Sequence, residues 1–297
     1  HNRVRRQRQM CIRDRCFFLL KNIIFQLFFI DYNLYMLINI KFKCTYHCFF
    51  ALVLPFFAPP FISLTEASDN SNQKQHYVFV HGSGGGGWDW RKMESIMLDR
   101  GHKTHRITLT GLGERSHLLN ADINLTTHIH DVVNTILFDQ LEKVVLVGHS
   151  YGGMVITGVM NEIPHHIQHA IFLDSVIPDH GMTAKDFWPI ENQHRVENGI
   201  VYFSWLRKAS NPPFDVPQSL ATFTEPVNFD NELAKMIPAT YIEFTQNPEL
   251  FTHEASPNKS WATAISRGWT VFSLKSSHNA QRSNPHKLAD LLERAVK

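Results

Sequence analysis

A serine stands between glycines in Gly148-His149-Ser150-Tyr151-Gly152-Gly153, directly after the apolar run VVLVG and directly before a segment with helical spacing. A GxSxG sequence in that setting is a tight elbow. Its glycines remove side chains that would clash, and the serine Oγ is held at the C-terminal edge of a sheet. The free N–H groups that open the helix favour negative charge developing at the same spot. Such a serine suits nucleophilic attack; the competing reading, an ordinary glycine-rich helix start, fits a GxSxG that lacks this strand and helix.

A serine hydroxyl attacks only when a base takes its proton, and the chain order serine, acid, histidine puts that base beyond the last strand. Among 18 histidines, His278 combines a strand end, a loop position and the right order; His286 is the fallback. The usual place for the acid is the loop after ATYIEFT, which reads Gln246-Asn247-Pro248 and holds no Asp. Asp174, at the end of HAIFLD one strand after the serine, lies on the same sheet edge and could accept the Nδ1–H of His278. It could equally be a turn aspartate before Pro178. Glu249 is the first of the other candidates, followed by Glu243 and Glu254.

His81-Gly82-Ser83, then Gly84 to Gly87 and Trp88, follows the first strand and lets bare backbone approach a ligand. Its expected part is one N–H, from Ser83, which with the N–H of Tyr151 would hold a tetrahedral oxyanion. A phosphate cradle would need GxxxxGK[ST], or GxGxxG with a later acid, and neither is present. The groups His128/His130 and His165/His166/His169 show no HExxH and read as solvated histidines rather than metal ligands, so no metal and no cofactor are expected.

These residues need elements to carry them. Short β-branched runs alternate with amphipathic segments: YVFV (77–80), a helix over 89–100, RITL (106–109), a helix over 127–138, KVVLVG (143–148), a helix over 151–162 and HAIFLD (169–174). The rhythm predicts an α/β fold with a mostly parallel central sheet flanked by helices. Residues 180–237 lose it among five prolines and read as an inserted cap rather than sheet. It resumes with ATYIEFT (239–245), a helix near 258–267, WTVFSLK (269–275) and a closing helix over 285–296 that begins at Pro285.

With 297 residues, 43% hydrophobic and 19% charged, the chain is neither disordered nor fibrous. Residues 1–67 hold nine Lys/Arg and three Asp/Glu, leaving 20 basic and 24 acidic residues over 68–297. That mildly acidic body offers no basic stripe for nucleic acid. Cys11, Cys16, Cys44 and Cys48 all lie before residue 68, so the remainder forms neither a disulfide framework nor a thiolate site. Residues 36–67 read as a signal peptide: Lys41 and Lys43, an apolar stretch, then Thr65 and Ala67 before Ser68. Residues 1–35 then read as an upstream or non-native segment, and 68–297 as the folded domain. Secretion or export to a periplasm follows, with no stable span in the mature form; an uncleaved N-terminal membrane anchor is the alternative.

The sequence resembles the α/β-hydrolase superfamily, and within it the small-esterase branch of plant methylesterases, hydroxynitrile lyases and related bacterial esterases. HGSGGGGW (81–88), LTGLGERSHLL (109–119), VVLVGHSYGGMVITGV (144–159), FLDSVIPDHG (172–181) and GWTVFSLKSSH (268–278) carry the resemblance over about residues 76–297. It implies a nucleophile at Ser150 and a base at His278. Related hydrolases can also place the acid where Asp174 stands. The lyases of this branch have a Thr where Gly82 stands and a Lys where Asn279 stands, which favours hydrolysis here. The expected activity is a serine carboxylesterase acting on a small, fairly apolar ester through an acyl-enzyme. Trp88, Phe187, Trp188, Phe203 and Trp205 are candidates for the pocket wall, or else cap packing. A non-catalytic ligand receptor on the same fold and a hydroxynitrile lyase are the alternatives.

Overall fold

Residues 74–207, 211–246 and 260–297 are described by a computed structural model of the chain. The expectations for residues 1–35 and 36–67 lie outside them, as do Glu249 and Glu254.

The strands are β1 (His76–Val80), β2 (Lys103–Ile107), β3 (Val144–His149), β4 (Ile167–Leu173), β5 (Arg195–Glu197), β6 (Ile200–Tyr202), β7 (Gln218–Ser219), β8 (Ala239–Phe244) and β9 (Thr270–Leu274). Six form one sheet in the order β2-β1-β3-β4-β8-β9, and every pairing in it is parallel. All six residues of β3 are buried. Only a central strand covered on both faces can be so continuously apolar, because successive side chains point to opposite sides.

The covering elements are α1 (Arg91–Asp99), α2 (Leu125–Phe138), α3 (Gly152–Glu162) and, late in the chain, α9 (Pro285–Ala295). Between them come the shorter α4 (Ile190–Gln193), α5 (Ala221–Thr224), α6 (Glu232–Lys235), α7 (Ser260–Ser266) and α8 (Ala280–Ser283). Val78, Val80, Val144 and Leu146 pack on one side with Ile129 and Val132 of α2 and Val155 and Val159 of α3. Tyr77, Phe79, Val145 and Val147 pack on the other with Met93 and Met97 of α1 and Leu288 and Leu292 of α9. The Asn124 side chain accepts the Thr127 N–H and so caps α2, and Pro285 opens α9 where its missing N–H costs nothing.

Two differences from the sequence reading have physical causes. β2 begins at Lys103 rather than Arg106, pairing residue for residue with β1 from His76↔Lys103 onward. It is an edge strand whose first four residues are exposed or half-buried, so hydropathy does not mark its start. Residues 180–237 contain a sheet of their own, the antiparallel β5-β6-β7. Among the described residues no helix is long and apolar enough to cross a membrane.

Sheet order also locates the site. The chain passes from β1 outward to β2, then returns to place β3 on the other side of β1. In open parallel sheets the crevice beyond the strand ends at such a reversal is where ligands bind. Ser83 follows β1 and Ser150 follows β3.

Candidate active site

Ser150 sits between the end of β3 and the start of α3 with φ +53°, in the left-handed region that side chains usually avoid. Its backbone is held on both sides. The Ser150 N–H donates to the Leu173 carbonyl at 3.2 Å, and its carbonyl accepts the Ser175 hydroxyl at 2.7 Å. The flanking glycines leave no room for substitutes: a Cβ on Gly148 would lie 2.8 Å from the Gly152 carbonyl oxygen, and one on Gly152 would lie 2.9 Å from that of Val80.

Asp174 directly follows β4 and is also left-handed, with φ +43°. Its Oδ2 accepts the Nδ1–H of His278 at 2.7 Å, and its Oδ1 accepts the Phe244 N–H at 3.3 Å. Only 1% of Asp174 is exposed. A buried carboxylate on Nδ1 fixes the tautomer, leaves Nε2 as the basic nitrogen and steadies an imidazolium when one forms. Ser150 and His278 line the same cavity. Glu243 is buried on β8 against the Ser273 hydroxyl, away from the cavity lining, and His286 is exposed on the first turn of α9.

The backbone N–H groups of Ser83 and Tyr151 meet no acceptor among the described residues. Both stand next to the sheet edge that carries Ser150, and amides without partners suit an oxyanion. Gly82 must stay small, since a Cβ there would lie 3.0 Å from Ser150 Cβ and 3.2 Å from His149 Nδ1.

Three histidines around this centre are buried: His81 and His149, to which the sequence assigns no role, and His128, which it reads as solvated but which packs into the core. His149 donates its Nε2–H to the carbonyl of His278 at 2.7 Å, tying the nucleophile elbow to the base's own backbone. Burial holds its pKa well below the ordinary value, with the nearby His278 adding to the effect. His81 accepts the Leu109 N–H at Nε2, so its Nδ1–H donates to the Gly82 carbonyl at 2.8 Å; burial lowers it to about 4. His128 accepts the Tyr151 hydroxyl at Nδ1 and donates from Nε2 to the Thr110 carbonyl, and burial lowers it also to about 4. His81 and His149 lie inside the two glycine-rich motifs and His128 on α2, but the role of each depends on ring orientation, which spacing does not encode.

The cavity holds about 600 Å³. Trp88, Trp188, Phe203 and Trp205 line it together with Phe214 and Phe223, which the sequence did not single out. Phe203 and Trp205 stack at 4.4 Å. Phe187 is not among the lining residues; it packs, half-buried, against the core beneath the cap. Among the described residues no three His, Cys, Asp or Glu side chains form a metal cluster. His169 instead meets the Thr240 hydroxyl, and His166 the Leu141 carbonyl.

The model of the alpha/beta hydrolase family matches residues 77–291. A carbendazim hydrolyzing esterase of Nocardioides sp. (strain SG-4G) is 44% identical over 106 residues, covering 36% of this chain and 44% of its own length. Polyneuridine aldehyde esterase of Rauvolfia serpentina is 29% identical over 208 residues, covering 65% of this chain and 74% of its own. An extracellular alpha/beta-hydrolase from a Paenibacillus species superposes with a TM-score of 0.60 at 22% identity, over 74% of this chain and 98% of its own, a likeness of fold.

Proposed function

The chain belongs to the alpha/beta hydrolase family, in the small-esterase branch, and from that premise we propose that it is a serine carboxylesterase working through an acyl-enzyme. The observation that carries the reading is the 2.7 Å contact between Asp174 and His278 on a cavity that Ser150 shares. In this reading His278 Nε2 takes the Ser150 hydroxyl proton as Oγ attacks the ester carbonyl carbon. The amides of Ser83 and Tyr151 hold the oxyanion. His278 then gives its proton to the leaving alcohol, and a water molecule, deprotonated by the same nitrogen, releases the acid.

The cavity wall supports a neutral, aromatic or otherwise apolar ester. Six aromatic rings face it, and its charged side chains balance, Asp89 and Asp215 against Arg207 and Arg282. The relatives named above act on esters by their names, which agrees with this reading. The Asp174–His278 contact supports an enzyme over a non-catalytic receptor on the same fold. Export, read from residues 36–67, is a further part of the proposal; Ser68 as the first residue of a secreted product would support it.

The protein is expected to hydrolyse p-nitrophenyl acetate and butyrate, and a serine-directed phosphonate is expected to label Ser150. Absence of both turnover and label would end the esterase reading. Cyanide release from mandelonitrile that depends on Ser150 would favour a lyase instead.

A further inference from the structure

Two elements far apart in sequence converge on the cavity: the glycine-rich loop from Gly82 to Trp90, which offers the Ser83 amide, and the turn from His278 into α8. Asp89 and Arg282 join them. Arg282 Nε lies 2.9 Å from Asp89 Oδ1, and only 4% of Asp89 is exposed. The other carboxylate oxygen fills the space above Gly85, where a Cβ would come within 2.5 Å of it. Asp89 is thus packed into the loop it serves.

Arg282 is equally committed on its side. Its Nη2 donates to the Asn279 side chain at 3.2 Å, one residue after the base, and its guanidinium lies 4.8 Å from the centre of the Trp88 ring. Its carbonyl accepts the Lys92 ammonium at 3.0 Å, so α1 grips the same turn. Both side chains line the cavity.

We propose that the Asp89–Arg282 ion pair positions the catalytic groups, holding the oxyanion-binding loop and the His278 turn in one fixed relation across the cavity. This rests on the esterase reading. Neither residue touches the reacting atoms; they act through Ser83 and His278. A planar guanidinium suits the task because it meets Asp89, Asn279 and the Trp88 face at once, which an ammonium cannot.

The test measures kcat and KM for p-nitrophenyl butyrate, with the rate of phosphonate labelling, in Arg282→Gln, Asp89→Asn, Arg282→Lys and the Asp89→Asn/Arg282→Gln double variant. Circular dichroism confirms folding. A loosened site loses rate rather than binding, so kcat and labelling are expected to fall together, about 10- to 100-fold, with KM little changed. Arg282→Lys is expected to recover part of the loss, and the double variant to be no worse than the more impaired single one. If Arg282→Gln does not fold, Asp89→Asn, which keeps the shape of the side chain, carries the same measurement. Wild-type kcat in folded variants, a change in KM alone, or additive losses would overturn the pairing. A wild-type protein without turnover or label would overturn the esterase reading instead, so the two failures are distinct.

Discussion

Asp174 and Ser150 share an uncommon backbone state, both left-handed, at the ends of neighbouring parallel strands. A non-glycine residue in that region costs roughly 1–2 kcal/mol. Here the surroundings fix it: the Asp174 N–H donates to the Ile242 carbonyl at 2.8 Å, and the Val176 N–H to that of Ser150 at 3.4 Å. Asn tolerates this conformation nearly as well as Asp, so Asp174→Asn removes the charge without releasing the strain. It is expected to lower kcat on p-nitrophenyl butyrate by about 10⁴-fold, as loss of a triad acid does. Glu243→Gln, off the cavity, is expected to leave kcat near wild type. A loss of less than tenfold in Asp174→Asn would move the acid elsewhere, with Glu249 first. The positions of Ser150, Asp174 and His278 were legible because motif, strand end and chain order are local properties. Asp89 and Arg282 were not, since no local spacing relates the two until the fold brings them together.

At the scale of elements, the approach of α3 to the sheet edge explains the double glycine after Tyr151. A Cβ on Gly153 would lie 2.1 Å from both the Ser175 hydroxyl oxygen and the Val176 carbonyl oxygen. The carbonyl belongs to backbone, so the helix itself would have to move, and with it the Tyr151 amide. Gly153→Ala is expected to destabilise the protein by about 1–3 kcal/mol, the usual penalty of overpacking. The better helix propensity of Ala, roughly 1 kcal/mol, offsets only part of that. Urea unfolding measures the change, and phosphonate labelling is expected to slow with it. An Ala variant with a wild-type midpoint would mean that the helix shifts freely and the elbow is not under this constraint. Strands β3, β4 and β8 were legible as apolar runs because both of their faces are covered. The start of β2 was not, because Lys103 to Arg106 show water at the sheet edge, and β5 to β7 are too short for alternation to register.

Across the whole molecule, the buried histidines make stability depend on pH. His81, His128 and His149 are at most 3% exposed, and burial holds all three below the ordinary value of 6.5, His81 and His128 at about 4. They are neutral when folded and take up protons when unfolded, so the stability they contribute is fully present above about pH 6.5 and is lost as pH falls toward 4. Asp89 works in the opposite direction. Burial pushes it up to about 7 against the pull of Arg282, so it releases a proton on unfolding and favours the folded state as pH falls below 7. His169, half-buried on β4, is also lowered to about 4 by burial, so four protons taken up against one released leave a net of about three, a slope on the order of 4 kcal/mol per pH unit near pH 5.5. Against a total stability of about 5–15 kcal/mol, that brings unfolding within reach by about pH 4. Urea midpoints measured between pH 7.5 and 5 are expected to fall steeply below 6.5. His128→Gln removes one of these titrating sites, so its slope is expected to be shallower than that of wild type by about 1.4 kcal/mol per pH unit. An unchanged slope in that variant would show that His128 already carries its proton in the folded state, against the burial and the Tyr151 hydroxyl bond that hold it neutral.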